Sequence, residues 1–223
     1  MPTHLTHSFS SLKMFENCPK RYFHQRVEKS VKDTPHEATA YGERVHEALE
    51  LYLKGDITEL PPESKPHTRM VEKLTKLCEG REVLVEQELT LTKNLTPTGW
   101  WDADAWFRSK LDVLILQGNH AIDIDWKTGK RRPDFTQLGL FATQTFIHYP
   151  EIDKVTSAFV WLKEGVLDKQ IYRRDHLPSL TQSLLSKTTR VEQALEKDVW
   201  PARPSGLCNW CPCKTFCEYA QRR

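Results

Sequence analysis

An α/β fold is predicted by three features of the chain. Helical periodicity fills the first third, strand-like segments separated by turn residues follow, and a further helix then precedes two more strands. The composition agrees. At 223 residues, 39% hydrophobic and 28% charged, the chain suits one globular domain, or one domain with an appendage. A net charge of +2 excludes a global polycation, so any nucleic-acid surface has to be a local patch. No apolar run approaches the roughly 18 residues that span a bilayer, and MPTHLTHSFS lacks the basic and apolar regions of a signal peptide. A cytoplasmic protein with no membrane partner is expected, in which clustered cysteines bind metal more often than they form disulfides.

The elements follow in order. From Ser8 to Val27, Phe9, Leu12, Phe15 and Cys18 recur at helical spacing, with Pro19 interrupting. A second helix covers Ala38 to Lys54 and stops at Gly55, with His46, Leu49, Glu50 and Leu53 on one face. TELPPESKP (58–66) reads as a loop, and a helix over His67 to Cys78 turns Met70, Leu74 and Leu77 inward. VLVEQELTL (83–91), WWDADAWF (100–107), SKLDVLILQ (109–117) and AIDIDW (121–126) read as a strand meander, with turns near Gly99 and Gly118-Asn119. DFTQLGLFATQTFIHY (134–149) is helical, VTSAFVWL (155–162) and KQIYRR (169–174) are strands, and a final amphipathic helix covers Leu177 to Val199. Past Pro201 and Pro204 the chain enters a cysteine-rich tail.

The chemistry concentrates in AIDIDWKTGK (121–130). Side chains two apart on a strand share a face, so Asp125 and Lys127 sit side by side and Asp123 joins them, as an ordinary solvated residue or a supporting one. Asp112 lies inside the apolar run LDVLIL, where an unpaired carboxylate is costly. If the two strands form a hairpin around Gly118-Asn119, paired residue numbers sum to about 237, and Asp112 faces Asp125. Two carboxylates meeting there repel unless a cation lies between them, and hard oxygen ligands suit Mg²⁺ or Mn²⁺. Lys127 beside such an ion is placed to orient a water for attack on phosphorus. The plainer reading is a surface hairpin whose polar face carries these charges.

GLCNWCPCKTFC (206–217) holds four of the six cysteines, a density that argues for metal. Cys208, Cys211, Cys213 and Cys217 could together hold zinc, although the 211/213 spacing is tight for it. Cys18, in ENCPKRYF, offers a remote fourth ligand instead of Cys213, and Cys78 reads as a small core residue. Lys130, Arg131 and Arg132 leave the Asp125–Lys127 strand directly and form a local basic patch for DNA. A second basic group, Lys20, Arg21 and Arg26, lies among or near Tyr22, Phe23, Trp210 and Phe216, a mixture that suits single strands but equally describes a solvated surface over core aromatics.

Asp112 followed by Asp125-Trp126-Lys127 resembles the core of the PD-(D/E)XK nucleases. GERVHEALE (42–50) resembles the Gly-x-x-x-His-x-x-x-Glu helix of their RecB-like exonuclease branch, and QLGLF (137–141) its Gln-x-x-x-Tyr motif, with Phe141 in place of tyrosine. Cys18-Pro-Lys-Arg-Tyr-Phe together with Cys208-x2-Cys211-x5-Cys217 resembles the iron–sulfur staple of AddB and the CRISPR-associated RecB-like nucleases. The resemblance spans Cys18 to Cys217. It implies a restriction-endonuclease-like core with a mixed central sheet flanked by helices, its N- and C-termini tied by a [4Fe–4S] cluster on Cys18, Cys208, Cys211 and Cys217. It also implies a metal held by His46, Asp112, Asp125 and the Trp126 backbone carbonyl, a catalytic Lys127 and an accessory Gln137. Phe141 can pack or stack but cannot donate a hydroxyl hydrogen bond.

These readings converge on a single nuclease domain. Residues 1–80 form an N-terminal helical part, 81–175 the catalytic core, and 176–223 the last helix and cysteine tail. The implied activity is Mg²⁺- or Mn²⁺-dependent exonucleolytic hydrolysis of DNA, on single-stranded ends, in recombination, repair or replication. No Gly-x-x-x-x-Gly-Lys-Ser/Thr loop accompanies it, so the form expected is the freestanding, phage-like one, acting in the cytoplasm. Ring-forming relatives leave room for a homo-oligomer. Two alternatives stand: a non-catalytic DNA-binding or assembly subunit of the same fold, and a zinc-binding interaction module.

Overall fold

A computed structural model describes residues 5–33, 36–215 and 217–220. The helical entry comprises α1 (Phe9–Asn17), α2 (Pro19–Tyr22), a π-helical turn (Phe23–Val27), α3 (Glu37–Lys54) and α4 (Thr68–Cys78). Then come β1 (Glu82–Leu91), β2 (Phe107–Gln117), β3 (His120–Lys127), α5 (Phe135–His148), β4 (Lys154–Trp161), β5 (Val166–Arg173) and α6 (Leu177–Lys197). The chain divides into two compact units, one of residues 36–181 and one formed by residues up to 35 together with those from 182 onward. Among the described residues no helix is long and apolar enough to cross a membrane.

The 36–181 unit is built on a five-stranded sheet of order β1-β2-β3-β4-β5. Every neighbouring pair is antiparallel except β3 and β4, which run parallel with α5 as the crossover between them. The sheet is covered on both faces. Leu138, Phe141, Ala142 and Phe146 of α5 pack with Leu111, Leu114, Val155 and Phe159 on one side. Val45 and Leu49 of α3 and Val71 and Leu74 of α4 pack with Val113, Ile115, Ile124 and Val160 on the other. A sheet buried on both faces explains why β2 to β4 carry long apolar runs rather than clean alternation. Phe141, which stands where the resemblance expects tyrosine, is a core residue of the α5 side.

Local chemistry sets the ends of these elements. Gly55 takes a left-handed φ of 80° and ends α3, as its position after Lys54 predicts. Asp134 caps α5 by accepting from the Thr136 N–H. At the far end of α5, the Arg174 guanidinium donates to the carbonyls of Phe146, in the last turn, and of Tyr149 and Ile152 just beyond it. Gly42 matters for closeness: a Cβ there would lie 3.0 Å from the Thr128 hydroxyl, so glycine lets α3 approach the end of β3.

One expectation needs correcting. Residues 100–106 are a turn rather than a strand, and β2 begins at Phe107. The Asp102 carboxylate accepts from the Gly99 N–H at 2.7 Å and the Thr98 hydroxyl at 2.8 Å, folding WWDAD back on itself. The N-terminal helix is interrupted at Cys18, as Pro19 predicts, and the extended Cys18 backbone suits the residue before a proline. Of the two readings of Asp123 the solvated one fails: it is fully buried under α5, where the hydroxyls of Thr145 and Ser157 donate to its two oxygens at 3.1 and 2.9 Å. Burial pushes this carboxyl up to about 7, against the two hydroxyl hydrogen bonds.

In the other unit, Leu12, Phe15, Tyr22 and Val191 are buried. Trp200 stacks on Tyr22 at 6.1 Å between centroids and meets Phe15 edge-on. The Arg203 guanidinium donates to the Glu16 carbonyl at 2.6 Å, and the Lys20 N–H to the Pro201 carbonyl. Both ends of the described chain therefore fold into one body through protein contacts.

Arg174→Ala is expected to destabilise the protein by about 1–3 kcal/mol, because three carbonyls lose a charged donor. Urea unfolding checks this, and an unchanged midpoint would show that water satisfies those carbonyls equally well.

Candidate active site

The site forms where β3 parts from β2. Their register runs from Gln117 opposite His120 to Val113 opposite Ile124, the pairing sum that the sequence predicts. Asp112 and Asp125 come next in that register, but the recorded ladder ends before them. The Trp126 N–H donates instead to Asp112 Oδ2 at 2.6 Å. The other Asp112 oxygen lies 3.2 Å from His46 Nδ1, on α3. Burial pulls the His46 imidazole down, but the hydrogen bond and charge of Asp112, with the charge of Asp125, outweigh it and leave His46 above its usual value.

Asp125 is buried and faces α5. Gln137 Nε2 donates to its Oδ1 at 2.9 Å, while Lys127 Nζ lies 2.5 Å from its Oδ2. Lys127 Nζ also donates to Gln137 Oε1 at 3.2 Å and sits over the Phe159 ring at 5.1 Å. Gln137 thus bridges the acid and the amine with the two ends of one amide. Burial pushes Asp125 up to about 6, opposed by Lys127 and reinforced by the charge of Asp112. Asp112 and Asp125 are therefore close enough to repel.

The sequence reading missed Glu86. Ligand atoms of His46, Glu86 and Asp112 all lie within 4.8 Å of one another. In the β1–β2 register, Val85 pairs with Val113 and Gln87 with Leu111, while the position between is skipped. Glu86 there adopts a left-handed φ of 56°, an uncommon and costly conformation for a non-glycine residue. The pairing sum is the same on both sides of it, so no residue is inserted; the left-handed turn at this one position is what departs from the regular pleat, and nothing in VLVEQELTL signals it. Lys110 pairs with the Glu86 carboxylate.

These groups border an open cleft of about 470 Å³ whose lining includes Glu43, Glu47, Glu50, Glu86, Asp112 and His46, with no lysine or arginine. Carboxylates gathered so closely repel one another and any phosphate, so the donor set fits a hard divalent cation. Glu50 itself pairs with Lys54 along α3. Of the basic patch, Lys130 and Arg132 are exposed, whereas the Arg131 guanidinium is engaged by both oxygens of Asp168.

In the terminal unit, Cys18, Cys208, Cys211, Cys213 and Cys217 line one cavity of about 60 Å³. The Ser205 N–H donates to Cys208 Sγ at 3.2 Å and the Arg203 N–H to Cys18 Sγ at 3.5 Å. Cys78, by contrast, packs beside the α3–α4 core. Of the N-terminal basic group, Arg21 pairs with Asp33 at 3.0 Å and Tyr22 is wholly buried. Trp210 is exposed, and Phe216 lies outside the described residues.

A sheet of this order, with an Asp-x-Lys strand end, a second aspartate on the neighbouring strand and a crossover helix carrying glutamine, defines a nuclease architecture. The family model described as the PD-(D/E)XK nuclease superfamily matches residues 6–105 and 80–218, and the chain belongs to that superfamily. Its fold is the PD-(D/E)XK nuclease fold. Among solved structures it is similar to a candidate exonuclease from Eubacterium rectale, at 14% identity, a TM-score of 0.52, and coverage of 98% of this chain and 88% of that one. A second similar structure is that of SSO0001, at 12% identity, a TM-score of 0.43, and coverage of 99% and 89%. No curated protein matches the chain.

Glu86→Gln is expected to weaken Mn²⁺ binding to the metal-free protein about tenfold or more, while Glu88→Gln, two residues along on the exposed side of β1, leaves it unchanged. Isothermal titration checks this; equal affinities for both variants would remove Glu86 from the ligand set.

Proposed function

We propose that the protein is a divalent-metal-dependent deoxyribonuclease that degrades DNA from single-stranded ends. The observation that carries this reading is the convergence of His46, Glu86 and Asp112 on one side of the strand fork with Asp125, Lys127 and Gln137 on the other. His46, Glu86 and Asp112 would hold the ion, with Asp125 and the Trp126 carbonyl completing its surroundings. The bound ion supplies charge neutralisation at the phosphate and a water of lowered pKa.

The remaining work falls to the chain. Asp125 holds the Lys127 side chain at the mouth of the fork, where its Nζ can donate to an attacking water or a phosphate oxygen. Gln137 fixes that pair in one orientation. Asp123, with both oxygens bonded beneath α5, stiffens the strand two residues before Asp125. The acidic cleft admits a phosphate only when cations occupy it, which ties substrate entry to metal loading.

The cysteine cavity supports a [4Fe–4S] cluster on Cys18, Cys208, Cys211 and Cys217. Backbone N–H groups already point at two of these sulfurs, a feature that tunes cluster thiolates. A single zinc at about 2.3 Å from each sulfur needs its thiolates gathered close together. A four-iron cluster spreads its ligands further. The staple would join the N-terminal helices to the tail within one folded unit.

End-labelled single-stranded DNA incubated with Mn²⁺ is expected to be degraded. Lys127→Met and Asp125→Asn should each slow cleavage at least about a hundredfold without unfolding the protein. Parent rates in either variant would remove this site. The protein purified without oxygen is expected to be brown and to absorb near 400 nm, and Cys208→Ser to bleach it. A colourless protein with stoichiometric zinc would overturn the cluster.

A further inference from the structure

The acidic cleft raises a question that its ligands do not answer. A chain of phosphates has to be held beside it, yet no lysine or arginine lines it. The missing grip lies further along β2. Arg108, Lys110 and Asp112 alternate with the buried Phe107, Ser109 and Leu111, and so share the strand's less buried side. Arg108 stands four residues from Asp112, about 13 Å at strand spacing. Lys110 between them is taken by Glu86. Among the described residues no carboxylate pairs with Arg108. Its guanidinium carbon instead lies 5.2 Å from the centroid of Trp100 and 5.3 Å from that of Trp101. Its Nε is buried without a hydrogen-bond partner.

Trp101 is 84% exposed, the most open large apolar side chain described. The turn that presents it is tightly built. Thr98 Oγ1 donates to both Asp102 and Asp104, at 2.8 and 2.9 Å, and the Trp106 N–H donates to the Leu91 carbonyl at 2.8 Å. A Cβ on Gly99 would lie 2.8 Å from the Asp102 carboxylate, so any other residue there would push that carboxylate aside. The exposed indole is therefore held by a preorganised scaffold, with a cation against one face and the other face open. Leaving an aromatic ring in water forfeits the stabilisation that burying it would give.

We propose that Trp100, Trp101 and Arg108 form a base-stacking platform that grips unpaired nucleotides a short way along the strand from the scissile phosphate. This rests on the nuclease reading above. An open indole stacks on any base without regard to sequence, and an unpaired guanidinium beside it takes the adjoining phosphate. A duplex, whose bases are already stacked on one another, offers the ring nothing except at its ends. The platform therefore favours single strands, and it supplies the positive charge that the cleft lacks.

The test uses the full-length protein and a dodecathymidylate probe, with EDTA present so that binding is read without cleavage. Tryptophan fluorescence of the parent is expected to be quenched by the probe. Trp101→Ala and Arg108→Gln should each weaken binding about tenfold or more, with Trp101→Phe recovering most of the loss. Because Trp101 is so exposed, thermal melting should show Trp101→Ala to be as stable as the parent. Parent-like affinity in Trp101→Ala, or no binding by the parent, overturns the platform. The two readings fail separately. If the parent does not cut DNA in Mn²⁺, the nuclease assignment falls; if it cuts but Trp101→Ala has an unchanged affinity and KM, only the platform falls.

Discussion

The site depends on one interruption in a hydrogen-bond ladder. β2 and β3 pair as far as Val113 and Ile124, and at the next step the Trp126 N–H turns to the Asp112 carboxylate. A continued ladder would occupy that N–H with a backbone carbonyl and leave Asp112 as one more side chain on a pleat. The carboxylate instead becomes the acceptor that closes the ladder, fixed between a backbone donor and the His46 imidazole. On its other edge β2 meets a second interruption at the same level, the unpaired, left-handed Glu86 of β1. Two local departures from regular sheet geometry therefore bring three ligating groups within 4.8 Å of one another.

Such an arrangement costs stability. Two carboxylates and an imidazole share a confined space, one glutamate holds a left-handed backbone, and Asp125 is buried deeply enough to shift its titration upward. The surroundings offset this with rigid support. Gly42 brings α3 against the end of β3, Gln137 ties Asp125 to Lys127, and Asp123 is anchored by two hydroxyls. Charged groups retained at such cost are those expected of a site that becomes favourable when a cation enters.

Much of this was legible in the sequence, and the residues show why the rest was not. The Gly118-Asn119 turn and the apolar runs around it fix the β2–β3 register, because slipping by one residue would exchange the faces of both strands. The Asp-x-Lys spacing then places Asp125 and Lys127 on one face whatever the wider fold. His46 and Gln137 were found only by resemblance, since a histidine or glutamine on a helix carries no signal of its own. Glu86 escaped because a left-handed backbone at a glutamate inside a strand has no residue signature in this sequence. WWDADAWF looked like a strand because aromatics favour strands, but Thr98 and Asp102 form a side-chain network that wins locally. Asp123 stayed open between a solvated and a supporting residue because alternation identifies a face without telling what covers it.

The central claim is that the fork between β2 and β3 is a divalent-cation site. Anomalous diffraction from crystals grown with Mn²⁺, recorded at the manganese absorption edge, tests it most directly. The account predicts a strong peak within coordination distance of His46, Glu86 and Asp112. A well-ordered fork with no peak, or a peak bound only elsewhere on the protein, would contradict it.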